Sequence, residues 1–389
     1  MINLWPLLLP AAAWSGWWVA NRNYLNKGKK ANNHLSREYV VGLNYLLNEQ
    51  PDKAVDVFIK LLEVDSETVE THLALGSLFR RRGEVDRAIR IHQNLIARPQ
   101  LSVMQRKEAL MSLGYDYMSA GVFDRAERIF IEVLALGGTQ ETCSLQGLLA
   151  IYQQEKAWEK ALEISKRLET ATGVCMASQA AHYYCEMSQQ ALKDNLTDKA
   201  YHLARQALAV DKCSVRASLM LAEMEIQKAR YKQAIHVLKQ VPKQDPEFLT
   251  EIISPLVSCY RELGAMDECI AYLNKTLIEN PCSSVIFVVG EYFRHKKGVD
   301  DAIDFVSSQL SKHPSIRGLN RLIYWHLESA QGKVRDKLQM LFDITSKFVD
   351  NKPIYRCGQC GFSGKLLHWH CPSCKHWGRI KPIHGLEGD

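Results

Sequence analysis

The chain has 389 residues, of which 47% are hydrophobic and 24% are charged, so it can bury a core and is not intrinsically disordered. A mean hydropathy of -0.21 excludes a polytopic membrane protein. The net charge of +6 is uneven: residues 1–37 carry five basic and no acidic side chains, and residues 352–389 carry six basic and two acidic ones. Basic ends on a mildly acidic body argue against a chain-long nucleic-acid surface and leave room for a local anionic partner, such as a membrane face.

The first segment is apolar. Residues 1–20 contain no ionisable side chain, and a helix needs roughly 20 residues to cross hydrocarbon, so we predict a single transmembrane anchor that meets the membrane through residues 4–20. A basic juxtamembrane linker follows over residues 21–34. No Lys or Arg precedes Arg22, which disfavours a cleavable signal peptide and, by the positive-inside rule, places the body in the cytoplasm. Pro6 and Pro10 leave an interfacial apolar helix as the alternative.

A short signature of an acid, a base and an alanine recurs through the middle of the chain. Its small residue stands at Ala54, Ala88, Ala126, Ala161, Ala200, Ala234, Cys269 and Ala302, in steps of 33 to 39 residues. Glycines precede the first three positions by twelve residues, at Gly42, Gly76 and Gly114. Aromatic residues precede the first four by nine, at Tyr45, Phe79, Tyr117 and Tyr152. This pattern is typical of tetratricopeptide repeats, in which small residues let two helices approach and the aromatic ring fills the groove between them.

With a degenerate last pair near residues 319–349, we predict about nine helical pairs over residues 35–350. Single repeats cannot bury their apolar faces, so they stack into a right-handed superhelix whose groove binds protein segments. The predicted fold class is therefore all-α: a tetratricopeptide-repeat superhelix with an N-terminal transmembrane helix and a small C-terminal metal-binding knuckle domain over residues 351–389.

The repeat region shows no catalytic signature. It lacks a Gly-rich phosphate loop, an HExxH motif and a GxSxG motif, so we predict neither catalytic nor cofactor-binding residues and no enzyme activity. His182 and Cys185 stand one helical turn apart. Because no third group completes a nucleophile and base, we expect this pair to be a packing contact.

The eleven cysteines are an odd number, which excludes a fully paired disulfide framework. Seven have no motif spacing and are expected to be reduced, small buried apolar residues. These are Cys143, Cys175, Cys185, Cys213, Cys259, Cys269 and Cys282.

The other four cysteines carry the strongest chemical signal in the chain. Cys357 and Cys360 form one CxxC pair, and Cys371 and Cys374 form a second after ten intervening residues. Each pair directs two thiolates at one ion, and four thiolates in tetrahedral geometry suit Zn²⁺ or a single iron. We therefore predict these four residues as the ligands of one metal ion. The set leaves no coordination position open, which disfavours hydrolytic chemistry.

This C-terminal module is too small to fold securely on apolar burial alone, so metal binding is expected to supply the missing stability. Its aromatic residues Tyr355, Phe362, Trp369 and Trp377 are too many for so small a core. We therefore expect some of these rings to pack against the last helices of the solenoid. The nearby histidines His368, His370, His376 and His384 are expected to face solvent or to support the ligands.

The order of anchor, repeats and knuckles resembles the lipopolysaccharide assembly protein B family over essentially the entire chain. The stretches that look like this family are residues 35–40, 83–93 and 380–386. The resemblance implies a rubredoxin-like last domain with Cys357, Cys360, Cys371 and Cys374 as iron ligands, although the ten-residue spacer is shorter than in free rubredoxins and favours a structural metal.

The resemblance also implies the function and the location. Family membership points to a single-pass protein of the bacterial inner membrane, a non-enzymatic adaptor that regulates lipopolysaccharide biosynthesis. Its implied partners are the membrane protease FtsH, the lipid A deacetylase LpxC, whose degradation it promotes, and other lipopolysaccharide assembly and transport proteins.

Two other functions compete with this interpretation. The chain could be a rubredoxin-type electron carrier whose repeats recruit a partner enzyme, but a lone four-thiolate centre is weak evidence for redox work. It could also be a zinc-ribbon nucleic-acid binder, given the basic C-terminal end. A basic face along the fold would then be expected, so no nucleic-acid partner is predicted.

Overall fold

The computed structural model describes residues 40–42, 44, 45, 53, 57, 69–138, 140–386 and 388. The predicted anchor and linker, residues 1–34, lie outside this part, as does most of the first repeat. Within the described residues, no helix combines the length and the apolar character that crossing a bilayer requires. The chain divides into two compact units, Met1–Glu155 and Lys156–Asp389.

The described part of the first unit consists of helices joined by short turns. They are α1 (Val69–Arg81), α2 (Val85–Ile96), α3 (Val103–Ser119), α4 (Phe123–Ala135) and α5 (Glu141–Gln154). Helices α1 and α2 pack as one pair, and α3 and α4 as the next. Gly83 and Gly121 turn the chain within these pairs with φ of 83° and 72°, a backbone region that glycine adopts at little cost.

Small residues set the distances between these helices. Ala88 and Ala126 are fully buried where the helices of a pair cross. The Phe130 ring lies between Gly114 and Gly147, and a Cβ atom added at either glycine would lie 2.7 Å from the ring. Helices thus approach closely over a buried aromatic ring, as predicted, but in this unit the ring between the glycines is Phe130, four residues after Ala126, and not Tyr117 of the signature.

The second unit continues the helical pairs and ends in a small sheet. Its helices are α6 (Trp158–Thr172), α7 (Ala177–Lys193), α8 (Thr197–Val210), α9 (Val215–Gln227), α10 (Tyr231–Leu238), α11 (Val241–Gln244), α12 (Leu249–Glu262), α13 (Met266–Glu279), α14 (Ser283–Lys297), α15 (Val299–Lys312), α16 (Ile316–Ser329) and α17 (Gly332–Asn351). The signature positions Ala161, Ala200, Ala234, Cys269 and Ala302 are all fully buried. Helices α16 and α17 lie where the degenerate last pair is predicted.

The regular alternation is interrupted once, after α10. This helix has eight residues, and the four-residue α11 and a 3-10 helix, Pro246–Phe248, stand before α12. Pro242 and Pro246 lack a backbone N–H and cannot continue a long helix, which accounts for the break. We call this short 3-10 helix the proline turn.

The C-terminal residues form a three-stranded antiparallel sheet, the ribbon. Its strands are β1 (Tyr355–Cys357), β2 (Ser363–Gly364) and β3 (Ile380–Pro382), in the order β2-β1-β3. Tyr355 pairs with Gly364 on one side and with Pro382 on the other. The ribbon core is made by Cys357, Cys371 and Ile380, each at most 2% exposed.

The scattered cysteines divide into two groups. Cys185, Cys259, Cys269 and Cys282 are buried, as expected of small apolar side chains. The expectation is wrong for Cys143, Cys175 and Cys213, which are exposed because they lie in a first helical turn or in loops. No cysteine in the described part of the chain forms a disulfide.

Candidate metal centre

The four predicted ligand sulfurs lie together at one end of the ribbon. The Sγ atoms of Cys357, Cys360, Cys371 and Cys374 all lie within 4.8 Å of one another. Two of the sulfur pairs join the two CxxC turns: Cys357 to Cys374 at 3.8 Å, and Cys360 to Cys371 at 3.7 Å. This is the one group of three or more potential metal ligands that the described residues form.

Both CxxC turns have the same backbone geometry. The N–H of the residue after the second cysteine donates to the carbonyl oxygen of the first, from Gly361 to Cys357 and from Lys375 to Cys371, each at 3.0 Å. Gly361 and Lys375 both adopt a positive φ, at 77° and 58°. A left-handed residue here bends the chain so that the two side chains of a turn point to one side.

The pKa values of the cysteine thiols are also consistent with a bound cation. The backbone N–H of Phe362 lowers the pKa of Cys360 to about 6. The backbone N–H of His376 favours ionisation of Cys374, but burial and the three neighbouring thiols raise its pKa to about 12. Four negative charges at these distances repel one another, so they can coexist only around a positive ion. The donor set therefore fits one thiophilic metal ion held by the four cysteines.

The histidines near the centre support loops. The Nε2 atom of His370 donates to the Lys375 carbonyl at 2.9 Å, and its ring stacks on Trp377. His376 donates from Nδ1 to the Cys374 carbonyl at 2.9 Å. Both imidazoles therefore bond to backbone carbonyl groups of the second CxxC turn.

Trp377 anchors the ribbon on the helices. Its indole ring is 9% exposed and stacks on the imidazole of His182 in α7, with 5.2 Å between the ring centroids. The rings of Trp158 in α6 and Tyr183 in α7 are arranged edge to face with the indole, with centroids 6.0 and 5.9 Å from its own. Gly378 allows this approach, since a Cβ there would lie 3.0 Å from Nε2 of His182.

A second set of contacts joins the ribbon to the proline turn and α12. Trp369 stacks on Phe248 at 5.4 Å. The Tyr355 hydroxyl donates to Glu251 at 2.8 Å, and burial with this carboxylate raises the pKa of the phenol. Lys381 forms ion pairs with two acids of the same segment, Asp245 at 2.9 Å and Glu247 at 2.6 Å.

The docking of the ribbon was predicted, but its place was not. Trp377 packs on α6 and α7, and Trp369 packs on the proline turn. Tyr355 instead contacts Glu251 of α12 and lies close enough to Arg317 of α16 for that charge to act on its hydroxyl. At the end of the ribbon, the N–H of Ile316 in α16 donates to the Leu386 carbonyl at 3.1 Å. The expectation that some of the rings pack on the last helices is therefore wrong for Trp377 and Trp369. The break in the repeat pattern explains this, because it exposes Phe248 and two acids that the ribbon covers.

His182 and Cys185 are both buried side chains of α7. Burial is the main cause that lowers the pKa of His182 to about 3, and burial raises the pKa of Cys185 to about 12. A neutral imidazole beneath Trp377 and a protonated thiol are poor partners for nucleophilic catalysis. His182 does have a packing role, as predicted, but the ring it packs on belongs to Trp377 of the ribbon and not to a neighbouring helix.

Known proteins match both parts of the chain. A family profile described as rubredoxin metal binding domain matches residues 355–382, and tetratricopeptide repeat profiles match residues 71–103 and 191–252. Among solved structures, a tetratricopeptide repeat protein from Parabacteroides merdae is 15% identical, with a TM-score of 0.33, and the match covers 72% of this chain and 100% of that chain.

Curated relatives match from end to end. Lipopolysaccharide assembly protein B of Escherichia coli K12 is 40% identical, and the match covers 100% of both chains. The protein of the same name from Haemophilus influenzae is 37% identical, again over 100% of both chains. The chain therefore belongs to the lipopolysaccharide assembly protein B family.

Proposed function

We propose that this protein is a non-enzymatic adaptor that regulates lipopolysaccharide biosynthesis at the bacterial inner membrane. In this function it brings the deacetylase LpxC to the membrane protease FtsH and so promotes LpxC degradation. The observation that carries the proposal is the match to relatives named lipopolysaccharide assembly protein B, which extends over the entire chain at 37 to 40% identity.

The architecture supports a binding role. Stacked helical pairs present extended surfaces that take up segments of other proteins. The proposed anchor, residues 1–20, would hold these surfaces at the cytoplasmic face of the membrane, where a membrane protease and a soluble client meet. Confinement to one plane raises the effective concentration of the partners without requiring tight contacts.

The metal has a structural role in this proposal. Cys357, Cys360, Cys371 and Cys374 hold it, with iron favoured by the family resemblance and zinc also compatible with four thiolates. A bound ion cross-links the two CxxC turns. The ribbon then keeps Trp377 and Trp369 in place on α7 and the proline turn.

Reconstitution in lipid vesicles tests the adaptor function. Vesicles holding FtsH and this full-length protein are mixed with soluble LpxC, and the loss of LpxC is followed on gels. We expect the protein to accelerate LpxC loss at least tenfold, and a chain lacking residues 1–20 to remain folded and metal-loaded but inactive. A matched control carries an unrelated membrane helix in place of residues 1–20 and should restore activity. Equal LpxC loss with and without the protein would contradict the proposal.

Electron transfer is the second candidate function, because Cys360 is exposed and brings one side of the thiol group to the surface. Iron at this site would supply one-electron chemistry. A reversible bleaching of iron-thiolate absorption under mild reductant, in a protein that leaves LpxC stability unchanged in the vesicle experiment, would favour this alternative.

A further inference from the structure

A groove between three helices of the second unit has a composition that the adaptor proposal does not by itself explain. It is formed by α12, α14 and α16, the first helices of three consecutive pairs, which contact one another in this order. Its volume is about 480 Å³. We call it the arginine groove, because Arg261 of α12 and Arg317 and Arg321 of α16 lie along its walls.

The charged side chains that line the arginine groove are all positive. None of the residues that the structure describes as lining it is acidic. Arg317 is half-buried, and its Nε atom is buried without a hydrogen-bond acceptor among the described residues. The carboxylate of Glu251 on the same helix as Arg261 already accepts a hydrogen bond from Tyr355 at 2.8 Å.

Two other arginines of the second unit, both at least partly buried, have carboxylate partners. Arg294, also on α14, lies 2.9 Å from Glu328 and 3.5 Å from Glu291. Arg216 lies 2.8 Å from Glu186. A buried guanidinium N–H without an acceptor is unusual in folded proteins. Nη1 of Arg216 is also such an atom, but Arg216 has a carboxylate partner at Nη2, whereas the described residues form no ion pair with Arg317. Arg317 can therefore donate to an acceptor that a ligand supplies.

The remaining walls favour a peptide as the occupant. Thr250, Ser254 and Ser258 recur every four residues along α12, and their hydroxyls can bond a peptide backbone. Phe287 and Val288 of α14 provide an apolar floor between the arginines. Neighbouring helices lie 8–10 Å apart, so three of them span roughly 20 Å, or about six residues of extended chain.

We propose that the arginine groove binds an extended acidic peptide segment of a client protein, whose carboxylates pair with Arg261, Arg317 and Arg321 while an apolar side chain packs on Phe287. Arginine suits this task because its planar guanidinium bonds a carboxylate through two parallel N–H groups. The inference rests on the adaptor function and names the chemistry of one partner.

Two other occupants fit less well. The chain's own N-terminal 37 residues carry only basic charges and would be repelled. Nucleic acid requires a broad basic surface that follows its backbone, whereas these three arginines line a recess with an apolar floor. Both alternatives are decided by the experiment below.

The test is fluorescence anisotropy with full-length protein in detergent micelles. The probe is a labelled peptide of the sequence Glu-Asp-Glu-Leu-Phe-Asp-Glu-Asp, and its neutral match carries Gln and Asn at the acidic positions. We expect the acidic peptide to bind at least tenfold more tightly than the neutral one in 0.15 M salt. In Arg261→Gln/Arg321→Gln, which changes two exposed residues, affinity should fall at least tenfold. Arg317→Gln should act in the same direction.

The matched control is Arg167→Gln/Arg205→Gln, which removes the same charge from exposed positions of α6 and α8 and should change affinity less than twofold. Equal loss in this control would mean that net charge alone attracts the peptide, and would overturn the proposal. Unchanged binding in the groove variant would do the same. Displacement of the peptide by an equimolar single-stranded oligonucleotide would also overturn the proposal. So would a tenfold gain in affinity when residues 1–37 are deleted, because the chain's own N-terminal segment would then be the occupant.

The two proposals fail separately. If wild-type protein binds the acidic peptide through the arginine groove but does not accelerate LpxC loss in vesicles, the groove proposal stands and the adaptor function is contradicted. If LpxC loss is accelerated but acidic and neutral peptides bind alike, the adaptor function stands and the groove proposal is overturned.

Discussion

The helix pairs of the first unit and the ribbon of the second are held in place by opposite means. In the first unit, contacts join neighbours along the chain: Tyr152 donates to Glu127, 25 residues away, at 2.7 Å. In the ribbon, Tyr355 meets Glu251 across 104 residues, and His384 meets the Glu247 carbonyl across 137. Local contacts cost little loop-closure entropy, whereas distant ones require that the partner surface already exists.

This difference indicates a hierarchy of folding and stability. The helix pairs need only their small residues and buried rings, which every repeat carries with it. The ribbon has a core of three buried side chains, Cys357, Cys371 and Ile380, and depends on a metal ion and on helices that lie far away in sequence. We therefore expect damage to the ribbon to leave the helices folded, and the predictions below test this separation.

The largest effect is expected from Cys371→Ser. Loss of one thiolate should release the metal, whose binding contributes on the order of 10 kcal/mol to the folding of small metal domains. Metal content should fall to background, and limited proteolysis should cleave after residue 351, while the helical circular dichroism signal is kept. Cys213→Ser changes an exposed cysteine in a loop and serves as the control. Unaltered protease resistance in Cys371→Ser would show that docking alone holds the ribbon.

Trp377→Ala tests how much the contact between the ribbon and the helices stabilises the ribbon. The indole ring contacts His182, Trp158 and Tyr183, so its removal should cost about 3–5 kcal/mol of ribbon stability. Metal should still bind, because the four cysteines are intact. Hydrogen exchange should rise in β1 and β3 and at the face of α7 that is uncovered. Trp377→Phe keeps part of the ring contact, so the stability of its ribbon should lie between those of wild type and Trp377→Ala. Loss of metal together with docking would mean that the two cannot be separated.

The sequence predicted the parts of the fold that depend on local pattern. The recurring small residues gave the helical pairs, and the CxxC spacing gave the cysteine cluster, since both follow from residues close together in the chain. The place where the ribbon docks could not be predicted. It depends on Pro242 and Pro246, which shorten α10, and on His182, an ordinary helix residue until Trp377 covers it.

The third prediction concerns acid stability. Burial lowers the pKa of His182 to about 3 in the folded protein, against 6.5 for an exposed imidazole, so the unfolded chain binds one more proton between these values. The stability that depends on a neutral His182 is therefore complete above pH 6.5 and is lost as the pH falls. Between pH 6.5 and 5 the loss should reach about 2 kcal/mol.

Urea denaturation followed by tryptophan fluorescence measures this slope, since the described tryptophans all lie in the second unit. His182→Gln should be less stable than wild type at pH 7.5, because the ring stack is lost, but its stability should fall less steeply towards pH 5. Other titrating groups are common to both proteins and cancel in the difference. If stability fell equally steeply with pH in both proteins, a neutral, buried His182 would be contradicted.

The smallest effect is expected in the first unit, from Gly147→Ala. A Cβ at this position would lie 2.7 Å from the Phe130 ring, so the ring or α5 must shift, at a cost of about 1–2 kcal/mol. Hydrogen exchange should rise in α3, α4 and α5, with no change in metal content. Adding Phe130→Leu to Gly147→Ala supplies the missing space and should recover part of the loss. If the double variant instead loses more free energy of unfolding than the two single variants together, the Phe130 ring stabilises the helices mainly through its own burial. The packing of the helix pairs would then depend on ring volume rather than on the close approach of the helices.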